Sequence, residues 1–378
     1  MRLIYLTNVR LPTEKAHGKQ IIENCAALVG AGADVELVIP KRINRIRAAP
    51  FVFYNISARF PVKKIFCLDL MGLPVFKLIS FFVLNLTFGF SACVYLVFRR
   101  KKIDVIYTRD VSIAFLGSFF RPTYCEIHNL PHLLNFSFFY KAALKRAAGI
   151  IVISRGLEED LIKNGVSKKK ILVAPDGVDL AKYDISVNQG EARQKLGLGP
   201  KKKIAVYTGH LYGWKGADLL AETAWFVGPS IDIYLVGGTA EDVEKFKKKY
   251  HFSNLHIVGH RPEAEIPFWL KAADVLVLPN KSGERISSHY TSPLKLFEYM
   301  ASGTPIVAAD LPSVREVLSD EEAVFFQADN SSSLAEKIKE TLVNKEKLKQ
   351  KGGKAKTKVQ EFTWRKRAII ILEFFKKL

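Results

Sequence analysis

What most narrows the fold of this chain is a repeated alternation. Short unbroken apolar runs, rich in Val and Ile, are each followed by a stretch of helical periodicity. In the first half the runs are residues 3–7, 35–39, 105–108, 124–127 and 150–153, with helical stretches such as 20–29 and 136–148 between them. In the second half they are 204–207, 233–236, 256–258, 275–278, 305–308 and 324–326. Unbroken rather than alternating runs are what parallel strands covered on both faces require. Two successive series of strand and helix predict two doubly wound α/β domains with right-handed crossovers.

With 378 residues, 48% of them hydrophobic, the chain can fill two cores. We expect a first Rossmann-like domain over 1–185 and a second over 200–355, with the polar, glycine-dotted stretch from the turn 175–179 to about Lys203 as linker. Residues 360–378 are expected to pack back on the first domain as a closing helix, with Ile369, Ile370, Leu372 and Phe375 as its apolar face. Gly352-Gly353 predicts a break between two helical stretches of the tail.

Charge adds a second constraint. There are 57 basic against 37 acidic residues, a formal net charge of +20. Such an excess implies an acidic partner, and phosphorylated substrates and an anionic membrane surface are the expected ones, rather than nucleic acid. Cys25, Cys67, Cys93 and Cys125 have no C-x-x-C spacing, so they read as buried, reduced thiols of a cytoplasmic enzyme. Residues 78–98 carry no charge and are bracketed by Lys77 and Arg99-Arg100-Lys101-Lys102. Though long enough by count to span a bilayer, the segment lies between strand-like runs. It therefore predicts a helix buried in the domain or dipping into a membrane surface.

Open parallel sheets bind ligands at the carboxyl ends of their strands, so the chemistry is sought there. The run 204–207 leads into Gly209, His210, Gly213, Lys215 and Gly216: glycines that admit a ligand near the backbone, then a lysine at the start of a helix. The segment 292–307 opens a helix at Pro293, so the amides of Leu294 and Lys295 point out of its end, and Glu298 follows one turn on. A carboxylate there can accept both hydroxyls of a ribose. The spacing suits a nucleoside diphosphate. The pairs His128/His132 and His256/His260 each straddle a strand end and a turn, which does not favour helical metal ligation.

Together these segments resemble the GT-B retaining glycosyltransferases, specifically the large family 4. The resemblance continues through 14–20, 32–38, 126–131, 153–155, 173–179 and Phe362-Thr363-Trp364, and so covers essentially the whole chain. It implies that Lys215 neutralises the donor diphosphate, that the amides of Leu294 and Lys295 hold the same group, and that Glu298 binds the ribose. It implies further that Gly18 lets the backbone of the first loop approach the phosphate or sugar. His128 would then face the reacting sugar, and Arg261 would frame the nucleobase. Lys215, Glu298 and His128 are the implied catalytic residues.

Two positions depart from the family pattern: His210 stands where an arginine is common, and Tyr290 where the first of two glutamates would fall. The implied activity is metal-independent transfer of a hexose, with retention, from a UDP- or GDP-sugar. The acceptor would be a glycan or a lipid-linked sugar in cell-surface polysaccharide or lipopolysaccharide synthesis. No cofactor is expected; the D-x-D triplet that holds a cation in the other main glycosyltransferase fold does not occur. The expected location is cytoplasmic, peripheral on the inner face of the plasma membrane. The alternative is an epimerase-like or non-catalytic sugar-nucleotide binder on the same fold.

Overall fold

The structure is a computed structural model that describes residues 1–70, 77–131 and 138–377. The chain forms two units: Met1–Pro175 with Trp364–Leu378, and Asp176–Thr363.

The first unit holds strands β1 (Arg2–Leu6), β2 (Asp34–Pro40), β3 (Val62–Ile65), β4 (Val105–Thr108), β5 (Thr123–Ile127), β6 (Gly149–Val152) and β7 (Ile171–Val173). All pair in parallel in one sheet of order β3-β2-β1-β4-β5-β6-β7. Its helices are α1 (Ala16–Gly30), α2 (Pro50–Phe53), α3 (Lys77–Arg99), α4 (Val111–Gly117), α5 (Phe138–Arg146) and α6 (Arg155–Lys163).

The second unit holds β8 (Lys203–Thr208), β9 (Ile231–Val236), β10 (Leu255–Gly259), β11 (Val275–Leu278), β12 (Ile306–Ala309) and β13 (Val324–Phe326), in the order β10-β9-β8-β11-β12-β13. Around them lie α7 (Gln189–Lys195), α8 (Ala217–Val227), α9 (Ala240–Lys249), α10 (Ile266–Ala272), α11 (Leu294–Ser302), α12 (Pro312–Arg315), α13 (Ser331–Val343) and α14 (Lys345–Lys358). The chain then returns to the first unit as α15 (Trp364–Lys377).

Both sheets have the reversal of strand order that makes a doubly wound fold, and the central strands β4, β11 and β12 are buried at every position. In the first unit, α1 and α15 cover one face, with Tyr5, Tyr107, Tyr124 and Phe375 in the core between. The other face is covered by α3 and α4 through Leu84, Phe88, Leu96 and Ile113.

Several expectations are corrected. The boundary falls at Pro175, before the expected 185, because Val178 pairs with Thr363 and Val178 and Tyr183 join the second core. The expected linker holds α7, whose N-terminus is closed by a reciprocal Asn188–Glu191 capping box. Gly352-Gly353 does not break the tail: α14 runs through it, and a Cβ at Gly352 would lie 2.3 Å from the Gly303 carbonyl oxygen. Gly352 serves close approach rather than a turn, whereas a Cβ at Gly353 would meet nothing within 4 Å. On α15 the buried face is Trp364, Arg367, Ala368, Ile371, Leu372 and Phe375, while Ile369 and Ile370 are exposed. Cys25, Cys67 and Cys125 are buried and Cys93 is half-buried; all four are free thiols.

Candidate donor and histidine sites

In the second unit, β8 ends at Thr208, whose amide donates to the Tyr299 hydroxyl at 2.8 Å. Gly209 follows with φ of 131°, and its amide donates to the Val236 carbonyl at 2.8 Å. The loop then makes a tight 3-10 turn over Gly213–Lys215 and enters α8 through Gly216, at φ of 71°. A Cβ at Gly216 would lie 1.7 Å from the Pro279 carbonyl oxygen, so this turn fits against the end of β11 only as glycine.

Three charged side chains gather above this seam. The Lys295 ammonium sits 3.9 Å from the centroid of the Tyr207 ring, and its stem reaches within 3.9 Å of where a Gly209 Cβ would lie. It has no hydrogen-bond partner among the described residues. Lys215 lies 5.3 Å from the Trp214 ring and 5.6 Å from the Tyr212 ring. Burial pushes its pKa down to about 8, with the Glu298 carboxylate opposing the shift. Burial also drives Lys295 well below its ordinary value; the Lys215 charge adds to that shift, and Glu298 again opposes it. Two desolvated ammonium groups beside one carboxylate leave an excess of positive potential at the strand ends. The opening amides of α11, which begins at Leu294 just after Pro293, add to it. Such a crown takes a polyanion.

His210 is buried and stacks on Tyr212, with ring centroids 4.8 Å apart. Tyr290 is buried at the end of the turn Ile286–Tyr290, and its hydroxyl accepts from Arg285 Nε at 3.0 Å. Arg261 follows the edge strand β10 and is exposed. Asn280, after β11, was missed in the sequence. It is fully buried, and neither of its amide atoms has a hydrogen-bond partner among the described residues. No motif marked it; only its position at a central strand end could have done so.

His128 belongs to the first unit, at the end of β5, with Nε2 2.6 Å from Glu126 Oε1. Glu126 is buried and accepts from Gln20 Nε2 at 2.7 Å, from Arg367 Nη2 at 2.8 Å, and from the Tyr107 hydroxyl. Burial alone would raise its pKa, yet Arg367, His128 and Arg109 together hold it well below the usual carboxylate range. An ionised carboxylate only accepts, so His128 Nε2 carries the proton in that contact. Gly18 is not in a loop: it lies in the first turn of α1, and a Cβ there would meet the Tyr54 hydroxyl at 2.1 Å and Thr13 Cγ2 at 2.6 Å. His132 lies outside the described residues. His256 packs on Tyr234, with ring centroids 4.4 Å apart, and among the described residues no three His, Cys, Asp or Glu are grouped to hold a metal ion.

Two Rossmann-like units, the second with buried cations and a helix N-terminus at its strand ends, define the GT-B class of glycosyltransferases. The family model described as glycosyl transferases group 1 matches residues 188–358, and that of glycosyltransferase family 4 matches 18–182. The chain belongs to the group 1 glycosyltransferases.

It is 24% identical over 360 residues to an uncharacterised glycosyltransferase of Methanocaldococcus jannaschii, covering 89% of this chain and 86% of the relative. It is 26% identical over 243 residues to the UDP-Gal:alpha-D-GlcNAc-diphosphoundecaprenol alpha-1,3-galactosyltransferase of Escherichia coli, covering 57% of this chain and 60% of that protein. Among solved structures, Anabaena HepE in complex with UDP and glucose superposes with a TM-score of 0.76 at 18% identity, covering 100% of both chains. Sucrose-phosphate synthase from Thermosynechococcus elongatus also gives 0.76, at 20% identity, covering 100% of this chain and 99% of its own.

Proposed function

We propose that this glycosyltransferase moves a hexose, with retention, from a UDP- or GDP-sugar to a glycan or lipid-linked acceptor of cell-surface polysaccharide or lipopolysaccharide synthesis. It works in the cytoplasm, peripherally on the inner face of the plasma membrane, and without a metal. The observation that carries this reading is the grouping of Lys215 and Lys295 with Glu298 at the strand ends of the second sheet. The two ammonium groups and the opening amides of α11 stabilise the diphosphate as charge develops on it, which is where electrostatic catalysis is most effective. Glu298 accepts the ribose hydroxyls. His128, oriented by the anionic Glu126, is the residue that the family resemblance assigns to the reacting sugar.

The Escherichia coli relative, named for a UDP-galactose donor and a lipid diphosphate acceptor, supports this choice of substrates, as does the UDP in the HepE structure. The test is a thermal-shift panel with UDP, GDP and ADP, followed by assay of nucleotide release from the matching sugar donors. The reading expects one nucleoside diphosphate to raise the melting temperature and its hexose donor to be consumed only with an acceptor. A product of inverted configuration overturns retention. Binding with no turnover favours the non-catalytic reading, to which the tyrosine at position 290 lends weight.

A further inference from the structure

We infer that α3 is a membrane-docking helix that lies along the lipid surface with one apolar side inserted, and does not span. This builds on the membrane-surface part of the proposed function, and the transfer chemistry stands or falls separately.

The helix splits into two apolar sides. Ser80, Leu84, Phe88, Ala92 and Leu96 form a stripe, none more than 5% exposed, that packs against the sheet. On the opposite side Ile79, Phe82, Leu86, Phe90 and Val97 are all exposed, Leu86 by 63% and Phe90 by 72%. Five large apolar side chains at helical spacing form a contiguous patch that a soluble surface does not need. The neighbouring helices carry further exposed aromatic side chains. Phe119, after α4, and Phe139, on α5, are exposed and flank the Phe115 ring.

Crossing the bilayer is excluded by topology. β3 precedes α3 and β4 follows it, and both are hydrogen-bonded into one sheet through β2 and β1. A single pass through α3 would put these strands on opposite sides of the membrane. The helix therefore returns to the side it left, and its inner stripe stays in the core.

Charge selects the occupant. Arg100, Lys101 and Lys102 are exposed at the end of α3, and Lys141, Lys145 and Arg146 are exposed on α5. None of α3, α4 or α5 carries an Asp or Glu. A second copy on this patch would set cations against cations with no carboxylate to answer them. An anionic lipid surface answers both features, phosphates at the basic rim and acyl chains under the aromatic side.

The test uses the full chain with vesicles of phosphatidylglycerol and phosphatidylethanolamine, and with vesicles of phosphatidylcholine alone. The wild type should sediment with the first far more than with the second. The double variant Leu86→Glu/Phe90→Glu should lose vesicle binding by about tenfold or more. Its melting temperature and its UDP- or GDP-induced shift should stay unchanged, because both side chains are exposed in the free protein. The milder Leu86→Ala/Phe90→Ala pair should lose an intermediate amount. Arg100→Glu/Lys101→Glu should lose mainly the salt-sensitive part. Equal binding by wild type and the glutamate pair overturns the proposal. So does a dimer in sedimentation velocity that the same pair abolishes, or retention of the wild type on membranes through both carbonate and high salt.

Discussion

The guanidinium of Arg367 and the carboxylate of Glu126, 241 positions apart in the chain, meet at 2.8 Å in the core of the first unit. Both side chains are almost wholly buried. The same arginine donates to the carbonyls of Ala174 and Pro175, at 3.3 and 3.1 Å, and to Asn24. The closing helix therefore does more than cover the sheet. It holds the carboxylate that lies 2.6 Å from His128 Nε2, which makes Arg367 a positioning residue for that histidine.

Replacing Arg367 with Met should leave Glu126 buried without its main counter-charge. The expected loss is about 3–5 kcal/mol in urea unfolding, because a buried charge without its partner keeps its full desolvation penalty. Lysine at 367 should recover part of the charge but not the fork of donors. The pH dependence gives an independent check. The Glu126 pKa is depressed in the folded state from an ordinary value near 4.5, so its stabilisation is complete above that value and lost as pH falls below it. Wild type should therefore lose stability on acidification more steeply than Arg367→Met. Parallel slopes would argue against the pair.

Much of the fold could be read from the sequence because parallel strands are buried on both faces. Residues 105–108 and 275–278 were read as strands with the limits that β4 and β11 show. The two strands missed, β3 and β7, lie at the edges of the sheet. Lys63 and Lys64 interrupt the apolar run of β3 and are exposed, as suits an unpaired edge. At the site, Lys215 and Glu298 could be singled out because one loop and one helix end carry them at fixed spacing, whereas Lys295 was read for its amide alone and its buried side chain was not foreseen. Arg367 was not, because in the sequence it is one more cation in a lysine-rich tail and its partner is 241 residues away. Gly18 proves to lie in the first turn of α1 beside Tyr54, which the sequence could not show, because a glycine that clears room for a tyrosine looks the same there as one that clears room for a ligand.

Lys215 should make nucleotide binding pH-dependent near neutrality. Its pKa in the free protein is about 8, held down by burial. A bound diphosphate favours the charged form, so the complex has the higher pKa. Affinity should be full below about pH 8 and fall as pH rises through it, with about one proton taken up per nucleotide bound above that point. Calorimetry in two buffers of different ionisation enthalpy reads this uptake directly. Lys215→Met should abolish it and lower kcat/KM by roughly 100- to 1,000-fold, the range for losing one donor to a developing anion.

Lys295→Met should separate stability from function. The Lys295 ammonium is buried with no hydrogen-bond partner among the described residues, and it lies near the Lys215 charge. Removing it should stabilise the free protein by about 1–3 kcal/mol, the usual penalty for an unsatisfied buried polar group. The same change should weaken nucleoside diphosphate binding by at least about tenfold, as expected for losing a charged hydrogen bond. A melting temperature that falls would mean the lysine supports the fold instead.

Gly18 offers a choice between packing and ligand approach that a double-mutant cycle can decide. An added Cβ would meet the Tyr54 hydroxyl at 2.1 Å. That hydroxyl is itself fixed, accepting from the Thr13 amide and donating to the Thr13 carbonyl, each at 2.7 Å. Gly18→Ala should therefore destabilise the first unit by about 1–3 kcal/mol through overpacking. Tyr54→Phe removes the hydroxyl that the methyl group strikes, at the cost of its two hydrogen bonds. Because the shortest of the clashes is then relieved, leaving Thr13 Cγ2 at 2.6 Å, the double variant should be less destabilised than the sum of the single ones, a coupling of at least about 0.5 kcal/mol. Were Gly18 instead a point of close approach for phosphate or sugar, Gly18→Ala would melt like wild type, lose activity, and show no coupling to Tyr54.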